Sequence, residues 1–144
     1  MAQRTLADLS KKLRDIDFVM LITRAENGDL AGRPMSNNRQ VEYDGTSWFF
    51  TDEETLTVAQ IRREPRVSLS AQGAKGLLGK PPFFLLAEGD AEIIQDKTAF
   101  QEHWTPDLER WFAKGVDTPG LALIKVGARR IHWWDGEEDG ELKV

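Results

Sequence analysis

The chain has 144 residues, 40% of them hydrophobic and 30% charged, which is the composition of an ordinary folded protein of one domain. Its formal net charge of −5 and its pI near 5.1 argue against a protein that binds the phosphate backbone of nucleic acids. The sequence contains no cysteine, which excludes disulfides, thiol catalysis and thiolate metal ligands.

The N-terminal stretch "MAQRTLADLSKKLRDID" is charged throughout, without the apolar core of a signal peptide or the length of an apolar membrane span. We therefore expect a cytoplasmic protein that does not contact a membrane. Within this stretch Leu6, Leu9, Leu13 and Ile16 recur at helical spacing. This pattern predicts a short amphipathic helix that lies against a sheet or barrel.

A β-hairpin is predicted next. The apolar run "DFVMLIT" leads to an Asn27-Gly28 turn signal, and the chain should return through "LAGRPMS". The returning strand contains Arg33 followed by Pro34. Since proline cannot donate to a sheet ladder, this strand should lie at an edge or a bulge, where Arg33 is able to face a ligand.

The next segments predict a further strand and a second helix. In "VEYDGTSWFFT" an Asp44-Gly45 turn precedes the aromatic strand from Trp48 to Thr51, so we expect a meander of consecutive antiparallel strands. The segment "TDEETLTVAQIRREP" then changes period, with acids at its start and arginines at its end, as in a helix that stops before Pro65.

The second half of the chain also alternates between strand and helix patterns. "RVSLSA" and "FFLLAEGDAEII" read as strands, the latter with a bulge near Gly89, and "GAKGLLGKPP" as the loop between them. "DKTAFQEHW" and "PDLERWFAKG" predict two short helices, "LALIKV" and "RRIHWW" a closing hairpin, and "DGEEDGELKV" an acidic tail. Many short strands with a few short helices predict an α+β barrel or sandwich.

The order of these elements, together with "GDLAGRPM", "SWFFTDEET" and "REPRVSLS", resembles the pyridoxamine 5′-phosphate oxidase-like family of FMN-binding split barrels. The resemblance is strongest to its general stress protein branch and runs from about Leu6 to Trp134. It implies a mainly β protein of the α+β class, a six-stranded antiparallel split barrel with short flanking helices over residues 1–144. It also implies a homodimer with FMN between the subunits, with FAD or a deazaflavin as alternatives.

The resemblance also assigns residues to the flavin. Arg33 matches the family's phosphate-side arginine, and Pro34 and Met35 follow it toward the ring. Phe50 and Thr51 match an aromatic-threonine pair whose backbone and hydroxyl meet the flavin edge or the ribityl chain. A phosphate requires guanidinium or ammonium groups and hydroxyls, and Arg33 supplies a guanidinium, while the flavin ring needs an apolar bed with a few donors at its polar edge.

The chain departs from the family pattern at several cations. Thr55 and Thr57 keep hydroxyls where the family has Ser-x-Arg-Lys or Ser-x-Lys, and a lysine of the oxidases falls at Asn38. Basic residues elsewhere are candidates to replace the missing charges: Arg62, Arg63, Lys75 and Lys80.

Two further departures concern the ring and the substrate. The tryptophan that approaches FMN from the partner subunit in the oxidases falls at Leu121, although Trp133 and Trp134 are candidates nearby. The oxidases' substrate-binding Arg-x-His reads Glu141-Leu142-Lys143 here. We therefore do not expect efficient pyridoxamine phosphate oxidase activity.

No other chemistry is indicated. His103 and His132 are the only histidines, and no metalloprotease, nucleophile-elbow or Walker motif accompanies them, so no metal site and no catalytic residue is predicted. Three functions remain: a flavin-binding carrier or sensor linked to stress, an FMN-dependent oxidoreductase acting on a small molecule, and a cofactor-free dimeric barrel.

Overall fold

A computed structural model of the chain describes residues 3–39 and 41–144. Within these residues it contains three α-helices: α1 (Leu6–Leu13), α2 (Leu56–Arg63) and α3 (Lys97–His103). It also contains seven strands: β1 (Phe18–Arg24), β2 (Leu30–Ser36), β3 (Thr46–Asp52), β4 (Arg66–Gln72), β5 (Phe84–Ile94), β6 (Leu121–Asp135) and β7 (Glu138–Lys143). Three 3₁₀ turns lie at Leu77–Gly79, Pro106–Arg110 and Gly115–Asp117.

All seven strands belong to one curled antiparallel sheet in the order β2-β1-β4-β5-β6-β3, with β7 paired to β6. The predicted β1–β2 hairpin is confirmed, and Pro34 lies on the edge strand β2 as expected. The predicted meander is wrong, because β3 pairs with β6 at the opposite end of the sheet. The two ends of the sheet, β2 and β3, therefore flank a gap in a half-barrel.

The C-terminal part of the sheet also corrects the sequence analysis. The two segments predicted as a closing hairpin form the single strand β6, and the predicted acidic tail forms β7. The tail folds as a strand because Gly140 and Leu142 face the core while its acidic side chains stay at least partly exposed at a sheet edge. Edge strands tolerate such charges because one side of their backbone is unpaired.

The barrel interior holds most of the apolar core. The N-terminal helix α1 closes it with Leu9 and Leu13, and the side chain of Trp133 is fully buried within it. Helix α2 packs on the sheet through Val58 and Ile61. A second, smaller cluster lies between β3, β6 and α3.

The opposite side of the sheet carries apolar side chains that this chain leaves uncovered. We call it the outer face; it includes Phe18 (62% exposed), Met20 (41%), Phe84 (37%) and Trp134 (37%). Phe84 and Trp134 are register partners on β5 and β6.

No helix among the described residues is long and apolar enough to cross a membrane.

Candidate functional site

Arg33 lies on β2 opposite Leu21 of β1, and its half-buried side chain points to the barrel side of the sheet. Its Nη1 donates to the Leu21 carbonyl (3.0 Å) and to Thr23 Oγ1 (2.9 Å), and its Nη2 donates to Gln60 Oε1 (3.1 Å). All three acceptors are neutral. Burial lowers the pKa of Arg33 from its ordinary value, because desolvation disfavours the charged form.

The charge of Arg33 is left uncompensated within the described chain. No carboxylate of residues 3–39 and 41–144 forms an ion pair with it. Three of its N–H groups have acceptors, which leaves the Nε–H and the second Nη2–H without one among the described residues. A half-buried guanidinium with free donors is suited to an anionic group.

The sequence analysis missed Thr23 and Gln60. Thr23 is buried and its hydroxyl donates to Gln60 Oε1 at 2.6 Å, so Thr23, Gln60 and Arg33 bond one another in a closed network. The signal for Thr23 was a hydroxyl in an otherwise apolar strand, diagonal to Arg33 across the hairpin. No local signal identified Gln60, because its role depends on how α2 packs against β1.

The start of α2 lies directly after β3 in the chain. Thr55 is the N-cap, and its Oγ1 accepts a hydrogen bond from the Val58 amide (3.3 Å). Such a cap satisfies one of the unpaired amides of the first turn. Thr57 is half-buried and lies one turn before Gln60 on the same helix. Thr57 and Gln60, the residue that contacts Arg33, are therefore neighbours on α2.

The two arginines of α2 point in different directions. Arg63 donates to the carbonyls of Arg24 (3.1 Å) and Glu26 (3.3 Å), beside the β1–β2 hairpin that carries Arg33. Arg62 instead donates to Gln95 Oε1 (2.8 Å), beyond the end of β5. Arg63 is thus the nearer candidate for a second cation.

The remaining predicted residues of β2 and β3 lie around the gap between the two strands. Phe50 packs edge-on against Phe100 (5.9 Å between ring centroids) and Trp104 (5.1 Å), in the smaller apolar cluster. Thr51, half-buried, points to the other side of β3. On β2, Met35 packs against the main core and Pro34 is exposed beside Met20.

The tandem tryptophans occupy different surroundings. Trp133 is fully buried, with the Arg4 guanidinium 4.2 Å from its ring centroid, and its Nε1 has no hydrogen-bond partner among the described residues. Trp134 lies on the outer face, stacked on His132 at 4.0 Å. Leu121 is buried in the smaller cluster. Only Trp134 of these three is available to a ligand or to another chain.

A cavity of about 390 Å³ opens where β2 ends and β3 begins. Its walls come from the ends of α1 and α3, from the chain after β2 and from the first residues of β3. Asn38, Tyr43, Trp48 and His103 are among them. The gap between β2 and β3 thus has Arg33 and α2 at one end and this cavity at the other.

The other sequence candidates lie elsewhere. Lys75 and Lys80 are exposed in the β4–β5 connection, beyond the end of β4 that pairs with the start of β1. Glu141 lies on β7, where its Oε1 is 3.5 Å from both Arg130 Nη1 and His132 Nδ1. Among the described residues no cluster of His, Cys, Asp and Glu could hold a metal ion.

Comparison with known proteins gives a family and a fold. The family model for pyridoxamine 5′-phosphate oxidase-like proteins matches residues 4–144. No curated protein sequence matches the chain.

Solved structures match over nearly the full length. A Clostridium acetobutylicum protein related to general stress protein 26 of Bacillus subtilis is 20% identical, with a TM-score of 0.78 and coverage of 96% of this chain and 94% of that one. General Stress Protein 26 from Bacillus anthracis is 24% identical, with a TM-score of 0.72 and coverage of 94% and 98%.

A third match is the general stress FMN/FAD binding protein of Xanthomonas citri. It is 24% identical, with a TM-score of 0.72 and coverage of 92% of this chain and 89% of that one. Together with the other two structures it confirms the split-barrel fold predicted from the sequence.

Proposed function

The chain belongs to the pyridoxamine 5′-phosphate oxidase-like family, and on that premise we propose that residues 1–144 form one domain that binds FMN as a homodimer. The observation that carries the proposal is the uncompensated guanidinium of Arg33, with two N–H donors free. The general stress FMN/FAD binding protein shares this fold, which agrees with a flavin as the ligand.

The donor set around Arg33 fits a phosphate group. Planar guanidinium donors match phosphate oxygens in pairs, and a charge-assisted hydrogen bond contributes roughly 1.5–3 kcal/mol. Thr57 adds a hydroxyl, and Arg63 adds a second cation beside the same hairpin. Of these two groups Arg63 replaces part of the positive charge that the chain lacks around Thr55, Thr57 and Asn38 relative to the family pattern.

The gap between β2 and β3 offers room for the rest of the molecule. Extended chain from Arg33 to Asn38 covers up to about 16 Å, and the cavity at that end is of the size typical for ligand pockets. Met35 points to the barrel side of β2 as Arg33 does, Thr51 is half-buried on β3, and Pro34 is on the exposed side of β2. The phosphate then binds at Arg33 and the ring binds toward the cavity.

The outer face supports the homodimer. Its exposed aromatic residues lie on one sheet: Phe84 and Trp134 are register partners on the neighbouring strands β5 and β6, and Phe18 lies on β1, with β4 between β1 and β5. Aromatic side chains are enriched in the buried centres of protein interfaces. We assign the outer face to a second copy of the chain, with Trp134 inside that interface.

The described side chains favour binding of the flavin over a dedicated acid-base reaction. His132 contacts Asp139 and Glu141, and His103 is stacked on Trp48 at 3.6 Å. Neither histidine contacts Arg33, and His103, which lines the cavity, has its ring stacked on Trp48 there. A bound flavin supplies electron or hydride transfer by itself, and the protein orients it. The role is thus that of a stress-linked flavin carrier or sensor, with an FMN-dependent oxidoreductase as the alternative.

The visible absorption spectrum of freshly purified protein tests the proposal. We expect flavin bands, and mass analysis of the material released on denaturation should identify FMN. Release of FAD or a deazaflavin would contradict FMN as the cofactor but would still agree with a ligand of the flavin type. Colourless protein that takes up no FMN on dialysis against it would favour the cofactor-free barrel instead.

A further inference from the structure

Gln60 is the residue that connects α2 to the charged group of the site. Its Oε1 accepts two hydrogen bonds, one from Thr23 Oγ1 (2.6 Å) and one from Arg33 Nη2 (3.1 Å). Thr23 Oγ1 in turn accepts from Arg33 Nη1 (2.9 Å). The guanidinium is therefore fixed by two side chains from two different elements, both of them neutral.

We propose that Gln60 is a positioning residue that sets the site's preference for a phosphorylated ligand, an inference that rests on the proposed binding of FMN. It holds the guanidinium in one orientation through an amide oxygen. Because that oxygen carries no full charge, the guanidinium keeps its net positive charge for the ligand. The remaining Nε–H and Nη2–H are then available to the phosphate.

A carboxylate at position 60 would have the opposite effect, because it would neutralise the guanidinium of Arg33. Glutamate has the size and shape of glutamine, so its oxygen would occupy the place of Oε1 and form an ion pair with Arg33. In a half-buried site such a pair is screened less by solvent than on the surface. A phosphate would then meet a neutralised guanidinium beside a negative charge, and its binding should weaken.

The test compares FMN with riboflavin, which lacks the phosphate, in wild-type protein and in Gln60→Glu. Equilibrium titration should show FMN affinity reduced by about tenfold to a hundredfold, the equivalent of one charge-assisted hydrogen bond. Riboflavin affinity should stay unchanged. Gln60→Leu, which removes the acceptor without adding charge, should reduce FMN affinity less than Gln60→Glu does.

Gln101→Glu is the matched control, because it makes the same change in charge at an exposed position of α3. It should leave the FMN-to-riboflavin affinity ratio as in wild type. Equal loss of both ligands in Gln60→Glu would show a general structural effect and overturn the assignment, as would an unchanged ratio. Wild-type protein that binds neither flavin would contradict the proposed function itself.

Discussion

Gly89 of β5 and Gly127 of β6 approach each other so closely that a Cβ atom on Gly89 would lie 2.0 Å from the Gly127 carbonyl oxygen. The register between the two strands shifts between Glu88 and Gly89, where the bulge predicted from the sequence is present. The long strand β6 continues through the bulge and pairs with both β3 and β7.

Gly89→Ala should therefore destabilise the fold strongly. The clash is with backbone atoms, which cannot move aside as a flexible side chain can. Overpacking of this kind costs about 3 kcal/mol or more, which corresponds to a drop in Tm on the order of 10 °C for a chain of this size. Thermal unfolding followed by circular dichroism measures the drop.

Gly127→Ala is the control for that experiment, because a Cβ atom there would have no other atom within 4 Å. Its Tm should stay close to that of wild type. A Tm for Gly89→Ala within about 2 °C of wild type would show that the two strands do not approach in this way.

Trp134→Glu should convert the proposed homodimer to a monomer. The substitution places a charge on the outer face, within the surface assigned to the second copy, where an unpaired charge is costly. Sedimentation velocity at micromolar concentration measures the change in mass. Trp111→Glu, at a tryptophan that is 69% exposed outside the sheet, should remain dimeric. A wild-type monomer would contradict the interface outright.

Tyr43 should make the fold sensitive to alkaline pH. Burial, with a smaller effect from Asp44, raises the pKa of Tyr43 to about 12. In the unfolded chain the Tyr43 hydroxyl titrates near pH 10. Its contribution to the free energy of unfolding is therefore complete below that pH and is lost as the pH rises toward the folded-state pKa.

The matched variant is Tyr43→Phe, which removes the titrating group. Between pH 9 and 11 the wild type should lose roughly 1–1.5 kcal/mol of unfolding free energy relative to this variant. Urea unfolding of both proteins at a series of pH values measures the difference. Parallel curves for the two proteins would show that the hydroxyl is not buried.

Efficient oxidation of pyridoxine or pyridoxamine phosphate is not expected, even with FMN bound. Glu141-Leu142-Lys143 stands where the oxidases need Arg-x-His, and the Glu141 carboxylate would repel a substrate phosphate. Positioning and acid-base catalysis each contribute orders of magnitude. Pyridoxal phosphate and peroxide should stay at background in FMN-reconstituted protein. Saturable formation of both would restore the oxidase interpretation.

Local sequence patterns predicted individual elements well. Turn signals at Asn27-Gly28 and the change of period before Pro65 located the first hairpin and α2. The pairing of β3 with β6 was not predictable in this way, because it joins segments far apart in sequence. The acidic composition of the last residues led to the prediction of a tail instead of β7. Edge strands carry such charges, whereas core strands do not.

Only part of the site was predictable, because one of its contacts also depends on how distant segments pack. Arg33 was identified from the sequence because a proline follows it in a predicted edge strand. In the structure two N–H groups of its guanidinium have no acceptor among the described residues. Gln60 did not stand out, since a glutamine within a helix usually faces solvent. Its contact with Arg33 arises only when α2 packs on β1, which the sequence pattern does not specify.

The ratio of FMN to riboflavin affinity in wild type and Arg33→Ala tests the central claim most directly. Loss of the guanidinium should weaken FMN by about 1.5–3 kcal/mol, roughly tenfold to somewhat more than a hundredfold, and should leave riboflavin nearly unaffected. Arg110→Ala, at an exposed arginine away from the gap, should leave both affinities as in wild type. Equal weakening of FMN and riboflavin in Arg33→Ala, or no weakening of either, would contradict a phosphate site at Arg33.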